Sequence, residues 1–180
     1  MADNYLQFSE ILANLSEPEE AWLKELLQPI CVFGGKEYPN DSVPTELADA
    51  EPDWAGVRFL RDKDDYDPAW NSLGFEHDFA TDSDEGGWGR HLWLHADDWG
   101  NPENAAYVVQ KFLKTFRPDQ CWSLTYAATC SKSRVGEFGG GAVFVTADVI
   151  QHQNGYGFIE EQRTAFEAKR SKPTKKGKKQ

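Results

Sequence analysis

The chain has 180 residues, 39% of them hydrophobic and 13% aromatic, and a formal net charge of −11. That is enough chain for one core that buries roughly 70% of the surface of the unfolded polypeptide, too rich in large apolar side chains for disorder, and without any apolar run near the roughly 20 residues that cross a bilayer. The charge is uneven: residues 169–180 hold seven Lys/Arg and no acid, so residues 1–168 hold 12 bases against 30 acids, a net of −18. Such a body repels nucleic-acid phosphates and attracts basic surfaces.

In chain order, Tyr5 to Leu12 is a short segment of spaced apolar residues. Ser16-Glu17-Pro18-Glu19 is then a capping box with proline in the first turn, and Trp22, Leu23, Leu26 and Leu27 at helical spacing predict a helix from about Glu17 to Gln28, stopped by Pro29. Ile30 to Phe33 reads as a short strand and Gly34-Gly35 as a turn. Glu37 to Asp53 reads as an acidic loop with one helical turn at Thr45 to Ala48, and Gly56 to Leu60 as a second short strand. The charge run from Arg61 to Asp67 belongs on the surface. Leu73 to Phe79 and Arg90 to Ala96 alternate with a period of two, as half-buried strands do, and bulky residues on both faces make the second a central strand.

Asn101-Pro102 marks a helix start, and Ala105, Val108, Val109, Phe112, Leu113 and Phe116 carry its stripe to Arg117-Pro118. Cys121 to Asp148 then reads as an antiparallel hairpin with a long, glycine-rich connection. Thr146-Ala147-Asp148 reads as the beginning of a helical turn, Phe158, Ile159, Gln162, Ala165 and Phe166 mark a last helix, and a disordered basic tail follows Ala168. From Arg90 onward the order is β, α, β, β, α. The expectation is therefore a single α+β domain over residues 1–168: an antiparallel or mixed sheet of about five to six strands, helices mainly on one face, and a ferredoxin-like core in the C-terminal half.

No stretch spells a catalytic signature. His91 and His95 have a spacing that ligates zinc from a helix, but four residues of strand span about 13 Å, too far for one ion. Asp62, Asp64, Asp65 and Asp67 fail the calcium-loop pattern, with Tyr66 breaking the alternation and Asp67 where glycine is needed. Asp97 and Asp98 fit a turn and a helix start better than catalysis. Neither a metal nor a cofactor is expected. The group Cys130, Lys132, Arg134, Gly139, Gly140 and Gly141 offers cations and glycine N–H groups that could cradle an anion or nucleotide, and Cys130 beside Lys132 an activated thiol. The plainer reading is a hairpin loop whose glycines permit close backbone approach. It is not a P-loop, since no Gly-Lys-Ser/Thr leads into a helix.

The largest anomaly is the acid distribution. Glu37 to Glu103 holds 18 Asp/Glu and four Lys/Arg among Trp54, Trp70, Trp88, Trp93 and Trp99. Carboxylates beside aromatics present a DNA-like field together with anchoring surface for a basic protein; the bland account is a soluble acidic surface over an aromatic core. Asp62, Asp64, Asp65, Asp67, Asp82, Asp84 and Glu85 are the candidate partner-binding acids. Three cysteines without a dense pattern and no secretory opening point to the cytoplasm. The runs CWSLTYAATCSKSRVGEFGGGAVFVTAD, RHLWLHADD and GFIEEQRTAF resemble a group of small acidic proteins of bacterial and mobile-element genomes to which no activity is attached. That resemblance implies a bacterial or phage setting and transfers no site.

The expected function is a non-enzymatic acidic interaction module for a basic protein, as an inhibitor or nucleic-acid mimic of a defence or DNA-processing system. The alternative is a small enzyme or anion-binding protein working at the Cys130 to Gly141 loop. Direct nucleic-acid contact is expected only through the Lys-rich tail, and no membrane partner is expected.

Overall fold

The computed structural model describes residues 3–61, 72–82, 87–132 and 134–170. The chain runs β1 (Asn4–Leu12), α1 (Glu17–Leu26), β2 (Pro29–Phe33), β3 (Lys36–Pro39), β4 (Trp54–Val57), α2 (Arg58–Arg61), β5 (Glu76–Thr81), β6 (Arg90–Ala96), α3 (Pro102–Phe116), β7 (Cys121–Cys130), β8 (Gly139–Thr146), β9 (Ile150–Asn154) and α4 (Gly155–Arg170). One six-stranded antiparallel sheet has the order β5-β6-β1-β7-β8-β9, and a three-stranded sheet has the order β3-β2-β4. The fold is α+β.

β1 lies between β6 and β7 and is antiparallel to both, so the β6–α3–β7 connection steps over it. Together with β1–α1–β5, this makes the spatial order β5-β6-β1-β7 a ferredoxin-like core with α1 and α3 on the same face. That core is not in the C-terminal half, as the element order from Arg90 implies, because its central strand is the N-terminal one. The small sheet and α2 are inserted between α1 and β5. β8, β9 and α4 are appended beyond β7.

One continuous core fills the space between sheet and helices. Phe8 and Leu12 of β1 and Leu92 and Leu94 of β6 pack with Leu124 of β7 and Val143 and Val145 of β8 under Val108, Val109 and Phe112 of α3 and Leu23 and Leu27 of α1. Asn101 caps α3 by accepting from the Asn104 N–H at 3.0 Å, and Pro102 occupies the first turn. Glu19 fixes the start of α1 by accepting from the Ser16 N–H at 2.7 Å. Trp22 joins the two helices, edge-on to Phe116 at 5.4 Å.

Several local expectations are corrected. Gly56–Leu60 is not one strand: the chain turns into α2 at Arg58, whose N–H donates to the Gln28 carbonyl, and this buries Phe59 and Leu60. The strand after Leu73 begins only at Glu76, since Gly74 has φ +68° and sits where a side chain would strike Asn101. Thr146 to Asp148 is a turn rather than the start of a helix: the Thr146 hydroxyl accepts from the Val149 N–H at 3.0 Å and turns the chain into β9. Lys169 and Arg170 belong to α4, and the remaining tail lies outside the described residues.

Candidate functional site

The loop between β7 and β8 can be built from its own residues. The Cys130 thiol is buried and donates to the Glu137 carboxylate at 2.9 Å. That acceptor, more than any other influence, pushes the thiol pKa up, away from the thiolate that nucleophilic chemistry needs. Arg134 pairs with the same carboxylate at 3.5 Å, so its charge is directed at an acid of its own loop. The activated-thiol reading of Cys130 is therefore corrected: the Lys132 N–H and the Arg134 charge favour the thiolate, and the Glu137 carboxylate outweighs them.

The glycines have a packing role. Gly141 stands opposite Tyr126 of β7, and a Cβ there would lie 2.6 Å from the Tyr126 hydroxyl and 2.5 Å from the Gln153 carbonyl oxygen. At Gly140 a Cβ would lie 2.5 Å from the Tyr126 carbonyl oxygen. The triple glycine thus lets an aromatic ring lie across strand β8, a cross-strand device known from sheets elsewhere. Gly139 and Gly140 do line a hollow of about 340 Å³, with Glu137, Phe138, Tyr126 and Tyr156. Lys132, Arg134, Cys130 and Gly141 are not among its lining residues. An anion would face Glu137 there, so the surroundings favour a neutral or cationic group.

A second hollow, about 770 Å³, shares Asn4, Tyr5, Tyr126 and Ala128 with the first. Its far wall is Trp99 to Glu103 at the start of α3. That wall is held rigidly: the Leu6 N–H donates to the Asp98 carbonyl at 2.7 Å and the Gly100 N–H to the Leu6 carbonyl at 2.8 Å, while the Trp99 indole remains largely exposed. Asp97 and Asp98, in accord with the turn reading, serve through backbone carbonyls that tie this wall to Gln7 and Leu6.

The opposite face of the sheet is not covered by α1 or α3. On its β5–β6–β1 side the Trp93 indole is 39% exposed. It donates to the Ser9 hydroxyl at 2.8 Å and stacks on His95 at 3.9 Å. Asp78 of β5 is in register with Trp93, and Glu76 with His95. Asp78 reaches His95 Nε2 at 3.2 Å and keeps a largely exposed carboxylate. His91 is buried against the Gly89 carbonyl at 2.9 Å. His91 and His95 thus line one sheet face, and no group of three metal-ligating side chains occurs among the described residues.

Of the seven candidate partner-binding acids, only Asp82 lies in the described structure, where it faces His91 at 3.9 Å. Asp62, Asp64, Asp65, Asp67, Asp84 and Glu85 lie outside the described residues. Reasoning from sequence missed Glu76, Asp78 and Trp93 as a group because they sit on different strands. The usable signal was the alternation of Arg90 to Ala96, which puts His91, Trp93 and His95 on one face. No described helix is long and apolar enough to cross a membrane. No family model, curated protein or solved structure matches the chain.

Proposed function

We propose that the protein is an acidic, non-enzymatic interaction module that receives a basic protein on the sheet face turned away from α1 and α3, around Trp93, acting as an inhibitor or nucleic-acid mimic would. One observation carries the reading: an exposed, rigidly held indole, Trp93, with the carboxylates of Asp78 and Glu76 beside it. An antiparallel sheet often leaves one face to water, so the open face alone argues nothing. An indole held in place by a hydrogen bond and a ring stack has little conformational entropy to lose on binding, and it is the side chain most enriched at interface hot spots. Its face attracts Arg or Lys, and the net −18 of residues 1–168 draws such a partner in.

The test is affinity capture from bacterial lysate with nuclease present, comparing the wild type with Trp93→Ala/Asp78→Lys. A stoichiometric basic protein held by the wild type, released at high salt and lost by the double variant with an unchanged circular dichroism spectrum supports the proposal. Equal capture by the variant refutes it.

The two neighbouring hollows that share Tyr126 favour a second reading, a small-ligand protein. Their aromatic walls and Glu137 suit a neutral or cationic ligand. A thermal-shift panel covering phosphates, nucleotides and aromatic amines separates this reading from the anion site at Lys132 and Arg134: only amines should raise the melting temperature, and the rise should vanish in Tyr126→Ala.

A further inference from the structure

The appended segment β8–β9–α4 has features that neither the ferredoxin-like core nor the Trp93 face explains. α4 is 16 residues, about 24 Å of helix, and its packing is concentrated on β8 and β9. Phe158 and Ile159 are 51% and 52% exposed on it, and Phe144 of β8 is 45% exposed on the sheet face nearby. Between helix and sheet lies a hollow of about 630 Å³ lined by Ser123, Thr125, Phe144, Gln153 and Glu161. A helix this short owes its stability mainly to burial of an apolar face, and α4 buries little of its own. An apolar patch of this kind on a soluble chain marks an interface.

The edge strand beside it is equally open. β5, at one edge of the sheet, carries Glu76 and Asp78, and charges of that sort discourage a further strand. β9, at the other edge, reads Ile-Gln-His-Gln-Asn and carries no Lys, Asp, Glu or Pro. The segment is also the nearly neutral part of a strongly acidic chain: residues 139–170 hold four acids and three Lys/Arg. Residues 171–180 then add five lysines, a charge complementary to the acidic body of this same protein.

From these observations we infer that a second copy of the chain occupies this surface, β9 pairing with β9 across a twofold axis and each α4 entering the partner's hollow beside Phe144. The interface is isologous, the paired edges satisfy their free backbone groups, and the five lysines of residues 171–180 add an electrostatic attraction to the acidic body opposite. The surface is separate from Trp93, about 14 Å away at three strand spacings.

Analytical ultracentrifugation of the purified full chain tests this at 1–100 µM, order-of-magnitude concentrations that bracket ordinary homodimer affinities. The wild type is expected to sediment at twice the chain mass. Phe158→Glu/Ile159→Glu is expected to weaken association by at least about 100-fold with an unchanged near-ultraviolet spectrum, since neither side chain is in the core. Gln153→Lys, which places a charge on the β9 edge, should weaken it independently. Deleting residues 171–180 should weaken it at low salt and less at high salt. A monomeric wild type over the whole range, or Phe158→Glu/Ile159→Glu and Gln153→Lys variants that dimerise as well as the wild type, would overturn the inference. A monomer that cosediments with phosphatidylserine vesicles would assign the helix to a membrane and overturn it equally.

Discussion

Arg117, the residue after α3, ties three parts of the core together. Its guanidinium donates to both carboxylate oxygens of Glu19 at 2.7 and 2.8 Å and to the carbonyls of Ala13 and Asn14 at 3.1 and 2.7 Å. The Arg117 hydrogen bonds, outweighing burial, hold the Glu19 carboxyl at a pKa of about 2 against an ordinary 4.5. Both side chains are largely shielded, 15% and 12% exposed, so screening removes only part of the effect. A depression of about 2.5 pH units at about 1.4 kcal/mol each corresponds to an upper value of about 3.4 kcal/mol, and about 2–3 kcal/mol is expected after solvent contact is allowed for. Because the folded pKa is the lower one, this stability is present above about pH 4.5 and is lost as the pH falls towards 2. Glu19→Gln should therefore lower the unfolding free energy by about 2–3 kcal/mol at pH 7 and much less at pH 2.5. Arg117→Met should cost more, about 3–5 kcal/mol, since it strands a buried carboxylate and two carbonyls. Urea unfolding followed by tryptophan fluorescence at both pH values measures this. If Glu19→Gln showed the same pH slope as the wild type between pH 5 and 2, the coupling ascribed to this pair would be wrong.

Other consequences can be checked as directly. Gly141→Ala should destabilise by about 1–3 kcal/mol, because the added methyl meets the Gln153 carbonyl, a backbone atom that cannot swing aside; an unchanged melting curve would show that β8 and β9 yield freely. Cys130 should alkylate at pH 8 on the order of tenfold more slowly than exposed Cys121, and Glu137→Gln should speed it by removing the carboxylate that raises its pKa; peptide mass spectrometry over time reads both, and an unchanged rate in the variant would discount the hydrogen bond. Glu10 shares a sheet face with buried Leu94, and desolvation raises its pKa, partly offset by the Ile11 N–H. Its ionisation therefore costs stability as the pH rises through the folded value, so Glu10→Gln should raise the urea midpoint at pH 7 and leave it nearly unchanged at pH 3. A lower midpoint at pH 7 would show that the ionised carboxylate is favourably held.

Much of the fold was legible in local text. Ser16-Glu17-Pro18-Glu19 and Asn101-Pro102 mark the starts of α1 and α3 because capping is a property of adjacent residues. The Cys121 to Asp148 hairpin declares itself by two β-rich runs around glycines, and the helical stripe of α3 by its spacing. Strands that take their identity from a neighbour were illegible. Lys36–Pro39 pairs only through its contact with β2, and the polar run Ile150–Asn154 only through β8.

The proposed partner-binding group shows the same division. Sequence alone determined the acidic balance, the basic tail and the absence of a catalytic signature, all additive properties of composition and short spacing. Only the tertiary structure decided that Asp78 faces Trp93, that Glu137 outweighs Lys132 at Cys130, and that Tyr5 to Leu12 is the central strand. The first and last depend on register between segments far apart in the chain, where a shift of one residue in a strand would turn every side chain to the other face; the second depends on how the β7–β8 loop folds back on itself.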